Sequence, residues 1–400
     1  MPRRTPGRPL GAVAVAAAVA GALIAPAVAA PTPHPTHLPH LTHLTGPLPS
    51  QRHARTQAAL DAVVRGGVPG ATARAEDAHG AWHGTAGVGD LATQRPRGAH
   101  DRFRAGSVTK TFVATVLLQL EAEGALDLDD PVGTHLPGVV RGHGHDGGRV
   151  TVRQLLNHTS GLYDYAEDPG IQRAYRTPRF TAHRHRTWTP GQLVALAMRH
   201  RPHFAPGTAW RYSNTNYVVA GMLIERTTGR PYAEEIRRRI IAPLKLRSTS
   251  VPGTASRLPP PSSRAYARLS GGAHGLPYDV TEMNPSLAGA AGALVTDTAD
   301  LNRFYAALLR GDLLPERQRT ALLTTVPTGR EATGGGRYGL GLLRIELPCG
   351  AVLWGHGGGI HGSLTLAVTT PRGEHSLALN VNGDWGGGPG RVLNAEYCHA

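Results

Sequence analysis

The chain is poor in lysine: of its 42 basic residues only Lys110 and Lys245 are lysine, and all the others are arginine. Cysteine is scarcer than usual as well, with only Cys349 and Cys398 in 400 residues. After residue 30 no apolar run is long enough to cross a bilayer, which excludes a later membrane-spanning helix. No group of His, Cys and Asp has ligand spacing on one element, so neither a metal nor another cofactor is expected. Acidic residues are outnumbered, 28 against 42, and the formal charge is +14. The arginines are scattered, without a recognition helix or a basic block interleaved with aromatics, so nucleic acid is not an expected partner. Dispersed solvated charge is the default reading of such a surface, and an anionic cell-wall polymer or membrane surface is the alternative.

Residues 1–30 have the layout of a signal peptide. Arg3, Arg4 and Arg8 precede an apolar run from Gly11 to Ile24, and Ala27-Val28-Ala29 fits a cleavage site, so cleavage is expected near Ala29 and Ala30. An uncleaved anchor is the competing reading, but the run is short and Pro26 breaks it. Residues 31–50 are rich in Pro and Thr, with His34, His37, His40 and His43 at intervals of three, and read as a disordered linker. Residues 51–400 then suffice for one large domain, secreted, without a membrane span and monomeric. In an exported chain the even pair Cys349 and Cys398 reads as a disulfide, and two free thiols would be its alternative.

A surviving lysine in an arginine-biased chain raises the question of what arginine cannot do there. Arginine stays charged at any accessible pH, whereas burial can lower an ammonium until it accepts a proton. Lys245, in Pro243-Leu244-Lys245-Leu246, has no such context, so Lys110 carries the interest.

Alternating, strand-like texture occurs at both ends of the domain, over Ala71 to Leu91 and again over Tyr338 to Ile345, Ala351 to Trp354, Ser363 to Thr369 and Ser376 to Val381. Helical patterns fill the middle, at Thr111 to Glu123, Val152 to Asn157, Pro190 to Met198, Tyr217 to Thr227, Tyr232 to Ile241 and Thr298 to Leu309, after a first helix at Gln51 to Val64. Strand-rich ends around a helical middle predict an α+β fold: an antiparallel sheet flanked by helices, with a large all-helical subdomain inserted within about residues 125–290.

Three short motifs carry chemistry. Ser107-Val108-Thr109-Lys110 opens a helix whose Val113, Val116, Leu117 and Leu120 follow the helical period. Residues three apart share a helical face, so the Lys110 amine can reach the Ser107 hydroxyl, and the helix N-terminus favours a developing oxyanion. Read alone, the tetrapeptide is equally an N-capping serine and a surface lysine. Tyr212-Ser213-Asn214 adds a phenol, a base for the serine proton if a cationic lysine holds it partly as phenolate, and an amide able to bind a substrate amide. His356-Gly357-Gly358-Gly359 lies between two strand-like runs, where glycines let a ligand backbone approach and a free N–H completes an oxyanion hole with that of Ser107. A structural loop and a glycine-rich hairpin turn remain the plain alternatives for the last two.

S-x-x-K, Tyr-x-Asn and His-x-Gly in this order resemble the class C β-lactamase and penicillin-binding serine hydrolase superfamily. Phe103 to Ser107, Leu126 to Val132, Thr151 to Leu162 (TVRQLLNHTSGL), Pro206-Gly207 and Tyr338 to Gly341 read like text of that family, and within it the chain looks most similar to secreted D-alanyl-D-alanine carboxypeptidases. The resemblance implies a β-lactamase/transpeptidase-like fold and an acyl-enzyme at Ser107, with Lys110 and Tyr212 handling its proton. It also implies Asn214, His356, Gly358 and Gly359 around the substrate, and Cys349 with Cys398 as the C-terminal disulfide. A small peptide, ester or β-lactam is the implied substrate.

One departure bears on specificity. The carboxypeptidases carry threonines where this chain has Gly357 and Gly359, and an arginine that falls here at Leu343; these groups hold the substrate's terminal carboxylate. Arg344 is adjacent, but neighbouring strand residues face opposite ways. An esterase, D-amino-acid amidase or aminopeptidase, or β-lactamase on the same scaffold is therefore the alternative, and a non-catalytic penicillin-sensing or wall-binding protein the remote one. An α/β-hydrolase is disfavoured because no G-x-S-x-G is present.

Overall fold

Alternation at the two ends of the chain resolves into one sheet. A computed structural model describes residues 53–270, 277–329, 336–386 and 388–398; the expected signal peptide and the 31–50 linker lie outside the described residues. The strands of the sheet are β1 (Gly70–Asp77), β2 (Gly80–Gly87), β3 (Val326–Pro327), β4 (Arg337–Tyr338), β5 (Leu343–Glu346), β6 (Val352–Ile360), β7 (Ser363–Thr369) and β8 (Ser376–Val381). Their order is β2-β1-β8-β7-β6-β5-β4-β3, antiparallel throughout. β1 pairs with β8 from Ala71↔Val381 to Glu76↔Ser376, so the first hairpin is completed by strands some 300 residues later.

Side-chain alternation decides what covers each face. Leu366, Val368, Leu377, Leu379 and Val381 face one side, packing with Leu60, Val63, Val392 and Leu393 of helices α1 (Ala54–Arg65) and α5 (Pro389–Tyr397). The smaller Ala367 and Ala378 face the other side and its larger core, where α4 (Thr298–Arg310) lies on β7 and β8. Cys349 and Cys398 form the disulfide, tying the β5–β6 turn to the end of α5.

Between residues 125 and 290 the chain runs mainly through helices and two-residue strand pairs, as in α3 (Asn214–Thr228). At the centre stands α2 (Thr109–Ala122), buried along nearly all its length from Thr109 to Leu118. The periodic apolar residues predict a buried helix, and α2 is one, packed by α3, Gly289–Gly292, Glu316–Leu323 and the π-turn Arg237–Ile241. Phe112 stacks on Phe304 of α4 with ring centroids 3.7 Å apart.

Two elements differ from the sequence reading. Tyr338 to Ile345 is not one strand: the chain reverses between β4 and β5, where Gly341 takes a φ of 77°. The strand-like run that ends at Trp354 in the sequence reading is longer, because β6 continues through all three glycines to Ile360, which excludes the hairpin-turn alternative. The periodicity of apolar side chains cannot report a strand made of glycine.

Candidate active site

Ser107 sits in a 3-10 turn, Gly106–Val108, that leads directly into α2. The turn exists because Gly106 adopts a φ of 55°, a left-handed conformation costly for other residues. One helical turn on, the fully buried Lys110 places its Nζ 3.1 Å from the Ser107 Oγ. The same nitrogen lies 2.8 Å from Asn214 Oδ1 and 2.8 Å from the Ala291 carbonyl. Lys245, by contrast, is an exposed residue.

These three contacts bear on the protonation of the amine. Burial disfavours its charge and brings the Lys110 pKa down to about 7, against a smaller upward pull from Asp164. The Ala291 carbonyl can only accept, and Asn214 presents its carbonyl oxygen because its Nδ2 donates to Asp164 Oδ2 at 2.8 Å. A neutral amine has two N–H bonds and one lone pair. With both hydrogens given to those acceptors, the lone pair is left for the Ser107 hydroxyl.

Tyr212 joins the cluster from the segment before α3. The Lys110 nitrogen lies 4.7 Å from the centre of its ring, and the Ser107 hydroxyl is near enough to its phenol to draw the phenol's pKa downward. Burial raises the phenol well above its ordinary range, and the Ser107 contact offsets only part of that. The sequence reading makes the phenol a base stabilised by a cationic lysine. In the folded chain burial acts on both groups, lowering the charge on the lysine and favouring the neutral phenol, so the amine enters the proton exchange as a candidate acceptor beside Tyr212.

β6 supplies the opposite wall. Its pairing with β5 stops at Leu343↔Gly355, so from His356 to Ile360 it has no strand partner on that side among the described residues. Gly358 lies against the segment carrying the serine, where a Cβ would stand 1.9 Å from the Ala105 carbonyl oxygen and 3.0 Å from the Ser107 nitrogen. Gly359 is as close: a Cβ on Gly106 would sit 2.9 Å from its nitrogen. Ser107 and Gly359 both line a cleft of about 130 Å³, together with Asn214, Tyr165, Tyr175 and Leu287.

The remaining predicted residues have distinct places. Asn214, the first residue of α3, engages Lys110 and Asp164 with the two ends of its amide. His356 is buried with both ring nitrogens occupied: Nδ1 meets the Gly357 carbonyl and Nε2 lies 2.8 Å from the Tyr338 hydroxyl. Because a carbonyl only accepts, Nδ1 carries the hydrogen and Tyr338 donates to Nε2. Burial brings this imidazole down to about 3, so it is neutral. Leu343 and Arg344 lie on β5, where Arg344 donates to Glu346 at 3.0 Å.

Sequence reasoning missed Asp164 and undervalued His158. Asp164 is buried, caps the turn Tyr165–Glu167 and orients Asn214; burial raises its pKa. Its only sequence signal was a carboxylate between two tyrosines in a chain short of acid. His158, within TVRQLLNHTSGL, packs against the Tyr212 ring at a tilt, with centroids 4.3 Å apart, and accepts the Ser213 N–H at Nδ1, 3.2 Å away.

Solved structures and curated proteins are similar to this chain. Among solved structures, a D-stereospecific amidohydrolase from Streptomyces sp. is 56% identical, with a TM-score of 0.82 over 86% of this chain and 98% of its own. The D-amino acid amidase of Ochrobactrum anthropi SV3, complexed with L-phenylalanine amide, is 30% identical with a TM-score of 0.74 over 86% and 98%. Penicillin-binding protein 4* of Bacillus subtilis is 29% identical over 299 residues, 72% of this chain and 62% of that protein. The chain thus spans about three-fifths of the length of the first curated relatives. A family profile described as Beta-lactamase matches residues 51–396. With that match over most of its length, and with this fold, the chain belongs to the beta-lactamase family of serine hydrolases.

Proposed function

We propose that this protein is an amidohydrolase that cleaves amides of D-amino acids through an ester formed at Ser107. The observation that carries the reading is the contact between the Ser107 hydroxyl and the buried Lys110 amine, 3.1 Å away, whose pKa is brought down to about 7. Lys110 takes the proton as Ser107 Oγ bonds to the carbonyl carbon. The backbone N–H groups of Ser107 and Gly359 receive the oxyanion. The C–N bond then breaks, and the leaving amine takes the proton from Lys110 by way of the Tyr212 hydroxyl. Water attacks the ester by the reverse relay, releasing the acid and restoring the Ser107 hydroxyl.

The choice of an amide over a free peptide carboxylate has two supports. Gly357, Gly359 and Leu343 offer no hydroxyl or cation where the carboxypeptidases resembled here hold the terminal carboxylate, and Arg344 is engaged by Glu346. The amidohydrolase and amidase structures are also similar over nearly their whole length. Export fits the reading, supported by the layout of residues 1–30 and by the Cys349–Cys398 disulfide.

Initial rates on D-phenylalaninamide, L-phenylalaninamide and D-alanyl-D-alanine test the assignment. The D-amide is expected to turn over fastest, and Ser107→Ala to lower its kcat/KM by about 10³-fold or more. Faster cleavage of the dipeptide would return the carboxypeptidase reading. Unchanged turnover in Ser107→Ala would remove the acyl-enzyme.

A further inference from the structure

A second cavity, of about 810 Å³, opens beside the Ser107 cleft and is lined by Arg173, Arg179, Arg186 and Arg199. Among the described residues no carboxylate is within ion-pair distance of any of these four guanidinium groups. Asp168, the one acidic side chain on the wall, is already held by His200 at 3.0 Å and by the Gly170 and Ile171 amides. Like charges around one concavity repel, and an anion drawn from solvent relieves that repulsion. The floor is apolar: Ile171, Leu196 and Trp188, the last with Arg186 stacked 4.0 Å from its ring.

We propose that this basin binds an organic anion, a carboxylate or phosphate joined to an apolar group, with the arginines on the charge and Trp188 and Leu196 on the apolar part. Its volume lies in the ~300–1,000 Å³ range of small-molecule sites. Forked guanidinium donors suit both kinds of oxyanion. The site also has a physical connection to the serine. The helix Pro169–Tyr175 separates the two cavities, with Ile171 lining both. The Trp188 indole N–H donates to the Tyr175 hydroxyl at 2.9 Å, and Tyr175 lines the Ser107 cleft. The anion has two sources in this geometry, the far end of a long substrate held at Ser107 or a separate small molecule.

Titration of the full chain with octanoate, followed by tryptophan fluorescence and calorimetry, tests the site without relying on catalysis. Wild type and Ser107→Ala are expected to bind octanoate equally, and added salt to weaken binding. Affinity should fall about tenfold in Arg173→Gln/Arg199→Gln. Ala195→Trp, which fills the basin and keeps every arginine, should weaken binding about tenfold or more. Octylammonium should not bind. The proposal is overturned if both variants bind octanoate like wild type, or if a β-lactam attached at Ser107 blocks it completely, since the anion then occupies the catalytic cleft. If the site stands, competition by octanoate against an amide substrate assigns the basin to a substrate's far end, and a changed kcat assigns it to a separate ligand.

Discussion

At the residue scale the chemistry turns on one amine. In the proposed reaction Lys110 must lose its proton before it can accept that of Ser107, and with its pKa brought down to about 7, kcat/KM should rise as pH increases through that value. Asp164 pulls the same pKa upward. Asp164→Asn should therefore move the acid limb to lower pH, together with a reduced plateau, because the Asn214 amide loses the carboxylate that orients it. A pH–rate profile of the two proteins reads both effects, and a limb moved to higher pH would contradict the assignment. Lys110→Arg should abolish turnover, because a guanidinium cannot take part in the exchange. Of this cluster the sequence shows Ser107, Lys110 and Tyr212 plainly. Asp164 is hidden, since it acts through Asn214 fifty positions away and nothing in its local pattern marks that contact.

At the element scale the decisive contact is β6 against the turn that precedes α2. A methyl group on Gly358 would lie 1.9 Å from the Ala105 carbonyl oxygen, a clash that only backbone movement can relieve. Gly358→Ala should thus lower stability by about 2 kcal/mol and reduce kcat more than it raises KM, as the Gly359 N–H moves relative to Ser107. Denaturant unfolding and steady-state kinetics measure the two parts. Gly357→Ala is the control: its Cβ would meet nothing closer than 3.8 Å and should be mild. The motif His356 to Gly359 is visible in the sequence, but three glycines in a row carry no strand signal, so their extended backbone is found only when β7 is seen beside them.

At the scale of the whole molecule, the sheet joins the first hairpin to the last strands, and the disulfide closes the C-terminal part. Cys349 and Cys398 are 49 residues apart, which in the chain-entropy model gives about 4 kcal/mol of stabilisation. Cys349→Ser/Cys398→Ser should unfold at lower temperature by calorimetry, while activity below the new midpoint stays near wild type, because the bridge ties a strand turn to α5 and touches no group of the Ser107 cluster. A melting temperature equal to wild type would show that the link contributes nothing. The α+β class is legible in the distribution of alternating and helical patterns. The pairing of β1 with β8 is not, because strand partners so far apart leave no trace in local periodicity.

By itself the sequence determines that a lysine follows a serine by three residues, a spacing that stacks the two side chains in an α-helix and equally in the 3-10 turn that carries Ser107, and that a strand-rich domain surrounds a helical middle. Only the tertiary structure decides how readily the Lys110 amine gives up its charge, and so, in the proposed reaction, which group takes the proton. That choice rests on how completely Lys110 is buried and on two acceptors, Ala291 and Asn214, brought to it from more than a hundred residues away. A pKa is a property of surroundings, and the surroundings exist only in the folded chain.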